Sequence, residues 1–225
     1  MCGRYALYAP GELIWEVFDL DEAPEAQPPR YNVAPGQDVL VIGQREGRAK
    51  PRTSRMRWGL VPSWADDPRI GNKLVNARVE TFDEKPAFRD AAERRRCLVA
   101  ASGYYDWKKL AEGRQAYFVR PIDAPLLAFA GLWERWRGPE GKKLFTCTVL
   151  TEPSAGAVAA LHERMPVVLP KSAWSTWLDP ALGAGVARRE ALASREPPEV
   201  EIRAVSSRVN AVANEGPENL EATPE

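Results

Sequence analysis

The chain has 225 residues and a mass of 25.0 kDa, with 44% hydrophobic and 28% charged residues, enough for one domain with a real core. That balance excludes a disordered chain, and no apolar run approaches the ~18 residues of a membrane-spanning helix. Lys+Arg and Asp+Glu both number 31, yet the charges segregate: residues 1–44 sum to −5, 45–114 to +7, 115–178 to +2 and 179–225 to −4.

Residues 1–20 lack a basic start ahead of an apolar core, so no secretory signal is read and a cytoplasmic protein is expected. Tyr5-Ala-Leu-Tyr8 reads as a strand. Residues 10–19 carry apolar groups at three- and four-residue spacing behind Pro10, a short amphipathic helix that the Pro-rich piece 23–30 ends. Segments 38–42, 52–61, 97–107, 116–120, 126–136 and 143–151 are rich in β-branched and aromatic residues between Gly or Pro turns, which predicts six strands. Glu112-Gly113-Arg114 and residues 138–141 read as hairpin loops, so much of the sheet should be antiparallel. Helical patterns occupy about 83–95, 153–161, 171–178 and 186–194, and a last strand, 200–205, precedes an acidic tail. The predicted fold is α+β: a single domain over residues 1–217 on a curved, barrel-like antiparallel sheet with peripheral helices, then a frayed tail at 218–225. Trp15, Trp133, Trp136, Trp174 and Trp177 lie in apolar-periodic segments and read as core or partly buried.

Arg45, Arg48, Lys50, Arg52, Arg55 and Arg57, with one acidic residue among them, run straight into Trp58-Gly-Leu-Val-Pro-Ser-Trp64. Basic groups beside exposed rings suit a nucleic-acid strand, and a solvated strand face followed by core tryptophans gives the same pattern. Of the 31 basic residues 23 are arginine, whose flat fork suits phosphate and base planes. Three cysteines, Cys2, Cys97 and Cys147, are too few and too scattered for a disulfide framework. A zinc site would need all three plus the single histidine, so neither a metal nor a cofactor is expected.

Four groups of residues could carry chemistry. In Met1-Cys2-Gly3-Arg4-Tyr5, the small residue after Met1 permits removal of the methionine, leaving an α-amine and a thiol on adjacent carbons. The amine titrates near ~7.7–8.0 and the thiol near ~8.5, so both nucleophiles are partly available at neutral pH. An aldehyde would meet the amine to give an imine, and the thiol, already in place, would close a five-membered thiazolidine. An inert Cys2 on a flexible end is the structural alternative. In Leu74-Val-Asn-Ala-Arg-Val-Glu-Thr81, an extended chain puts Asn76, Arg78 and Glu80 on one face, although a capped turn before the 83–95 helix fits as well. Asp106, in Ser102-Gly-Tyr-Tyr-Asp-Trp107, would have a raised pKa if buried among its rings, and would be an ordinary strand carboxylate if exposed. His162, in Leu161-His-Glu-Arg-Met-Pro166, is the only histidine and hence either the natural neutral-pH acid or base or a structural turn residue. Cys2 and Arg4, Asn76 and Arg78, and His162 and Arg164 each set an arginine two residues after a reactive candidate, as clamps around a centre between phosphates would require.

In chain order, Met-Cys-Gly-Arg, Tyr31-Asn-Val-Ala-Pro35, Trp58-Gly-Leu-Val-Pro-Ser-Trp64, Val75-Asn-Ala-Arg-Val-Glu-Thr81, Gly103-Tyr-Tyr-Asp-Trp107, Leu150-Thr151 and His162-Glu-Arg-Met-Pro166 resemble the SOS response-associated peptidase (SRAP) family from residue 2 to about 217. The resemblance implies a protein that binds single-stranded DNA containing an abasic site and links covalently to the ring-opened sugar aldehyde. It implies a thiazolidine at Cys2, Asn76 holding the amine region and the sugar, and His162 transferring protons in ring opening and in strand scission or reversal. Arg4, Arg78 and Arg164 would hold phosphates, Trp58, Pro62 and Trp64 would wedge against bases, and Pro35, Trp107 and Thr151 would complete the DNA contacts. It also implies lyase-like activity and a peptidase-like self-removal of the residue before Cys2. The family's usual glutamate in Gly-x-Tyr-Glu-Trp is Asp106 here, one methylene and roughly 1.5 Å shorter. The expected partner is abasic single-stranded DNA, with no membrane, and the expected state is a monomer, cytoplasmic and nucleoid-associated when bound. Two other classes fit some of the same residues: an N-terminal-nucleophile hydrolase using Cys2 and His162, and a noncovalent strand-binding module.

Overall fold

The computed structural model describes residues 3–193 and 198–223. Their β-branched and aromatic runs form β1 (Tyr5–Leu7), β2 (Arg30–Val33), β3 (Asp38–Gly43), β4 (Arg52–Trp58), β5 (Asn76–Arg78), β6 (Arg96–Ala101), β7 (Gly103–Lys109), β8 (Arg114–Pro121), β9 (Leu127–Arg137), β10 (Lys143–Pro153), β11 (Arg164–Pro166) and β12 (Val200–Val205). Strands β10, β4, β3, β6 and β9 pair in that order, and β9 returns to β10 from Lys143↔Arg137 to Val149↔Gly131, closing a five-stranded barrel. A closed ring leaves few unpaired edges, which a flat sheet of this length would expose. The second sheet runs β12-β8-β7-β1-β2 and packs on the barrel through Tyr5 and Tyr104, whose rings meet Phe129 edge-on at 6.1 and 6.0 Å. The α+β, barrel-based expectation holds, and both expected hairpins, β7–β8 and β9–β10, are antiparallel.

Several boundaries differ from the sequence expectation. The strand read over 97–107 is two strands in different sheets, broken at Ser102, whose N–H donates to Ala6 O at 2.8 Å and whose hydroxyl accepts from Tyr8 N–H at 3.1 Å. The switch needs Gly103, because a Cβ there would sit 2.4 Å from the Phe118 ring. The strand read over 52–61 stops at Trp58, where Gly59 turns at φ +126° and packs on the Gly71 backbone so closely that a Cβ would meet its carbonyl at 2.6 Å. Of the helix read over 83–95 only α2 (Arg89–Arg94) is regular, since Pro86 biases its predecessor away from the helical region. The helix read over 153–161 is a 3₁₀ turn at Gly156–Ala160, and that over 186–194 is a single turn, Ala184–Ala187, continued by a π-type turn to Leu192. The helices at Gly11–Phe18 (α1) and Lys171–Leu178 (α3) agree with expectation. Trp15 corrects the core assignment: its ring is 48% exposed and only its Nε1 is anchored, on Leu20 O.

The tail is docked as far as Thr223. Asn219 is buried, Leu220 packs on the second sheet's outer cluster, and Val205 bridges Ala222. Residues 224–225 lie outside the described residues. One buried cation organises the helical side. The Arg96 guanidinium, 3% exposed, donates to the carbonyls of Ala92, Glu93, Trp177 and Leu182 at 2.6–2.9 Å and to that of Asp179. These carbonyls cluster at the C-terminal ends of α2 and α3, where unpaired acceptors and the helix dipole favour a cation.

Candidate active site and nucleic-acid interface

The second half of β10 brings distant segments together. Val149 to Thr151 pair in parallel with Asn76 to Arg78, while Thr151 to Pro153 pair antiparallel with Pro166 to Arg164. Asn76 is half-buried, Ala77 buried and Arg78 exposed, so the alternation read from the sequence holds through the strand and on to exposed Glu80. Thr151 is buried, its carbonyl accepting from Val79 N–H at 2.9 Å and from Arg164 Nη2. Glu80 takes the same guanidinium end-on, through Oε1 at 2.5 Å and Oε2 at 3.0 Å. That bidentate hydrogen bonding holds the Glu80 carboxyl below its usual range, with the charge of Arg78 helping.

His162 ends the turn before β11 and is half-buried. Its Nδ1 accepts the Arg164 backbone N–H at 2.9 Å, so the neutral ring carries its proton on Nε2. Asp106 approaches from the other sheet. On β7 it shares a face with Tyr104, which points at the barrel, and it is 1% exposed. Its Oδ1 accepts Trp107 N–H at 2.9 Å, and Oδ2 has no hydrogen-bond partner among the described residues. Burial pushes its pKa up, opposed by the Trp107 N–H and by the charge of His162. Tyr5 pairs with Tyr104, and Tyr105 N–H donates to Arg4 O at 2.9 Å, a register that sets Gly3 beside Asp106. Cys2 lies outside the described residues.

Arg4 and Trp107 occupy the opposite face of the β1–β7 pair. Arg4 Nη1 donates to Asn32 Oδ1 at 2.7 Å and to Val209 O, and its guanidinium lies 5.8 Å from the Trp107 ring, which Arg114 also approaches at 5.3 Å. Trp107 Nε1 donates to Asn210 at 2.7 Å, and Asn32 further clasps Ala211 O and Asn214 O. These contacts lock Arg4 and Trp107 to the C-terminal segment and away from Asp106. Of the wedge candidates, Trp64 is 56% exposed, whereas Trp58 is 1% exposed with its ring on Tyr5 and its Nε1 on Val75 O. Pro62 is buried as well. Trp58 and Pro62 are therefore corrected from base contacts to supports of the loop that carries Trp64. Pro35 is exposed in a turn closed by Gln37 N–H to Ala34 O, with Gly36 at φ +86°, the pattern of a type II turn.

The SOS response associated peptidase (SRAP) family model matches residues 1–212. This chain belongs to the SRAP family. It is 38% identical over 99% of its length to the whole of Abasic site processing protein YoqW of Bacillus subtilis, and 33% identical over 85% of its length to 66% of Abasic site processing protein HMCES of Gallus gallus. A crystal structure of a Bacteroides thetaiotaomicron protein superposes with TM-score 0.86 at 18% identity, covering 99% of this chain and all of that one. A phage-related protein of Bordetella bronchiseptica gives TM-score 0.73 at 28% identity, covering 91% and 94%.

In this SRAP chain the sequence motifs name Asn76, Asp106, His162, Thr151 and the arginines as candidates, but not the residues that hold Arg4 and Trp107. Asn32 lies in the quoted Tyr31–Pro35 motif, but its grip on Arg4, like the contacts of Arg114 and Asn210 with Trp107, is made only by the fold. Glu80 had a signal, its two-residue spacing from Arg78, and its task of gripping Arg164 needed the fold. Cys97 and Cys147 are buried, with thiols pushed up by desolvation, which leaves them inert. Among the described residues no helix is long and apolar enough to cross a membrane, and no cluster of His, Cys, Asp or Glu could hold a metal ion.

Proposed function

We propose that this SRAP chain captures abasic sites in single-stranded DNA through Cys2, once Met1 is removed. The α-amine condenses with the C1′ aldehyde of the ring-opened sugar and releases water, and the Cys2 thiolate then adds to the imine carbon to close the thiazolidine. What most supports this reading is that His162 lies close enough for its charge to act on the buried Asp106 carboxyl, on the strand whose register sets Gly3 opposite Asp106. A buried Asp106, its pKa raised by burial, suits proton transfer at the leaving hydroxyl during imine formation, and His162, with Nε2 protonated when neutral, suits the paired transfer in ring opening, lyase-like scission or reversal. Asn76 orients the sugar. The same cysteine would carry the self-removal of the preceding residue. All of these groups come from one chain, so a monomer suffices, acting at the nucleoid on DNA. YoqW and HMCES, named as abasic site processing proteins, support the substrate class.

On a denaturing gel with a single-stranded oligonucleotide carrying one abasic site, wild type should give a heat-stable shifted band, and Cys2→Ala or an N-terminally blocked form none. Absence of the band with Met1 shown to be removed overturns the proposal.

Arg78 is the phosphate ligand of first choice, being exposed and without an ion-pair partner among the described residues. Arg164 can reach a phosphate only by leaving Glu80. Glu80→Gln removes a charge that competes with phosphate, so it should tighten binding of unmodified single-stranded DNA by roughly three- to tenfold at low salt, an effect of the size charge-assisted contacts carry. Fluorescence anisotropy across a salt series measures it, and unchanged affinity would place Arg164 outside the DNA contact.

A further inference from the structure

β9 outlasts its neighbour: pairing with β6 ends at Arg96↔Leu132, and the strand continues to Arg137 paired only with β10. The ledge so formed walls a cleft of about 480 Å³ lined by Ser63, Arg95, Trp133, Arg135, Arg137 and Phe145, with Glu134 at its base. Glu134 is neutralised by Arg95 at 2.7 Å. Arg135 and Arg137 are exposed, lie opposite Phe145 and Lys143 on β10, and have no ion-pair partner among the described residues, so the cleft is net positive. The Trp133 and Phe145 rings lie 6.4 Å apart, and Phe145 is 41% exposed, costly for a ring with nothing to cover it. The opposite wall is Ser63, next to exposed Trp64. That loop is fastened by Leu60 N–H to Leu74 O and Trp58 Nε1 to Val75 O, directly before Asn76.

We propose that this cleft binds a stretch of single-stranded DNA flanking the lesion, with bases stacking at Phe145 and Trp133 and phosphates on Arg135, Arg137 and Lys143. Cations and rings in two-residue steps along one strand, about 6.6 Å apart, fit a repeating polyanion with π-faces better than an acidic peptide, which would use the cations alone. Phe145 lies six residues along β10 from Thr151, about 20 Å, so only an oligonucleotide extending several nucleotides past the site reaches it. The assignment rests on the single-stranded-DNA reading above, not on the Cys2 chemistry.

The test is fluorescence anisotropy with 5-nucleotide and 20-nucleotide oligo-deoxythymidine over a salt series, using wild type, Arg135→Ala/Arg137→Ala and Phe145→Ala, each checked for an unchanged melting temperature. The double variant should bind the 20-mer about tenfold more weakly, with a log–log salt slope shallower by about 1.4 for two lost phosphate contacts. Phe145→Ala should lose about fivefold with an unaltered slope, as a stacking contact would. The 5-mer should change less than twofold. Wild-type affinity and slope for the 20-mer in the variants would overturn the proposal. So would an acidic decapeptide that outcompetes the 20-mer on wild type and loses its own binding in the double variant, which would assign the cleft to a protein partner. A normal crosslink with cleft-insensitive 20-mer binding sinks this inference alone, whereas cleft-sensitive binding without any crosslink sinks the capture chemistry alone.

Discussion

Asp106→Asn is expected to slow abasic-site capture and crosslink reversal by about 10²–10⁴-fold while making the protein more stable at neutral pH. Both effects come from one buried carboxyl, one oxygen bonded to Trp107 N–H and the other without a hydrogen bond among the described residues. Burial raises its pKa in the folded state, so the native protein binds this proton more tightly than the unfolded chain does. Stability therefore falls as the pH rises from the ordinary aspartate value of ~3.9 through the raised folded value, and the full penalty applies above it. Asparagine keeps the acceptor for Trp107 and removes the charge, so its melting-temperature gain should grow as the pH rises through the raised folded value and vanish below pH ~4. Thermal melts from pH 3 to 8 read this directly, and a gain that does not vary with pH would show that Asp106 is not a buried titrating group. Asp106→Glu probes reach. The added methylene should restore roughly 1.5 Å toward the reacting carbon and accelerate both capture and release, by up to about 100-fold if position is limiting. Unchanged rates for both steps would mean that the aspartate already sits at the working distance.

Arg96→Met should cost about 3–5 kcal/mol and lower the melting temperature by roughly 10 °C, the largest stability effect expected of a single substitution here. Methionine matches the length of the stem but supplies no donors. The carbonyls of Ala92, Glu93, Trp177, Asp179 and Leu182 would lose the guanidinium they share, and Ala92 and Trp177 are buried. The cation also stacks on Trp177 at 5.9 Å, and the Trp177 Nε1 is fixed on Cys97 O, so the loss spreads into β6 of the barrel. Arg96→Lys tests the fork itself: one ammonium has three donors against five acceptors on two helices, and should recover less than half of the loss. A melting temperature within 2 °C of wild type for Arg96→Met would refute the clamp. Abasic-site capture by the surviving folded fraction should be unaffected, because Arg96 packs on the helical side.

By itself the sequence determined the longer strands, the α1 and α3 helices and both hairpins, because these depend on short-range periodicity and turn chemistry, while the short strands Arg30–Val33 and Arg164–Pro166 had no periodic signal of their own. Asn76, Ala77 and Arg78 alternate in burial as their spacing requires, and Asp106 is buried. Which strands close into a barrel was not legible, since β9 pairs with both β6 and β10 and nothing local distinguishes a strand with one partner from a strand with two. The break at Ser102 was hidden for a similar reason. Residues 97–107 satisfy strand propensity throughout, and only the Phe118 ring against Gly103 makes the chain change sheets. The tertiary structure also decided the tasks of the arginines and tryptophans. Identical side chains became a helix clamp at Arg96, a captive of Asn32 at Arg4 and an exposed surface cation at Arg78, while Trp58 went into the core and Trp64 to solvent six residues later. A fork or an indole is chemically the same at each position, and the burial and partners that choose its role come from segments tens to hundreds of residues away.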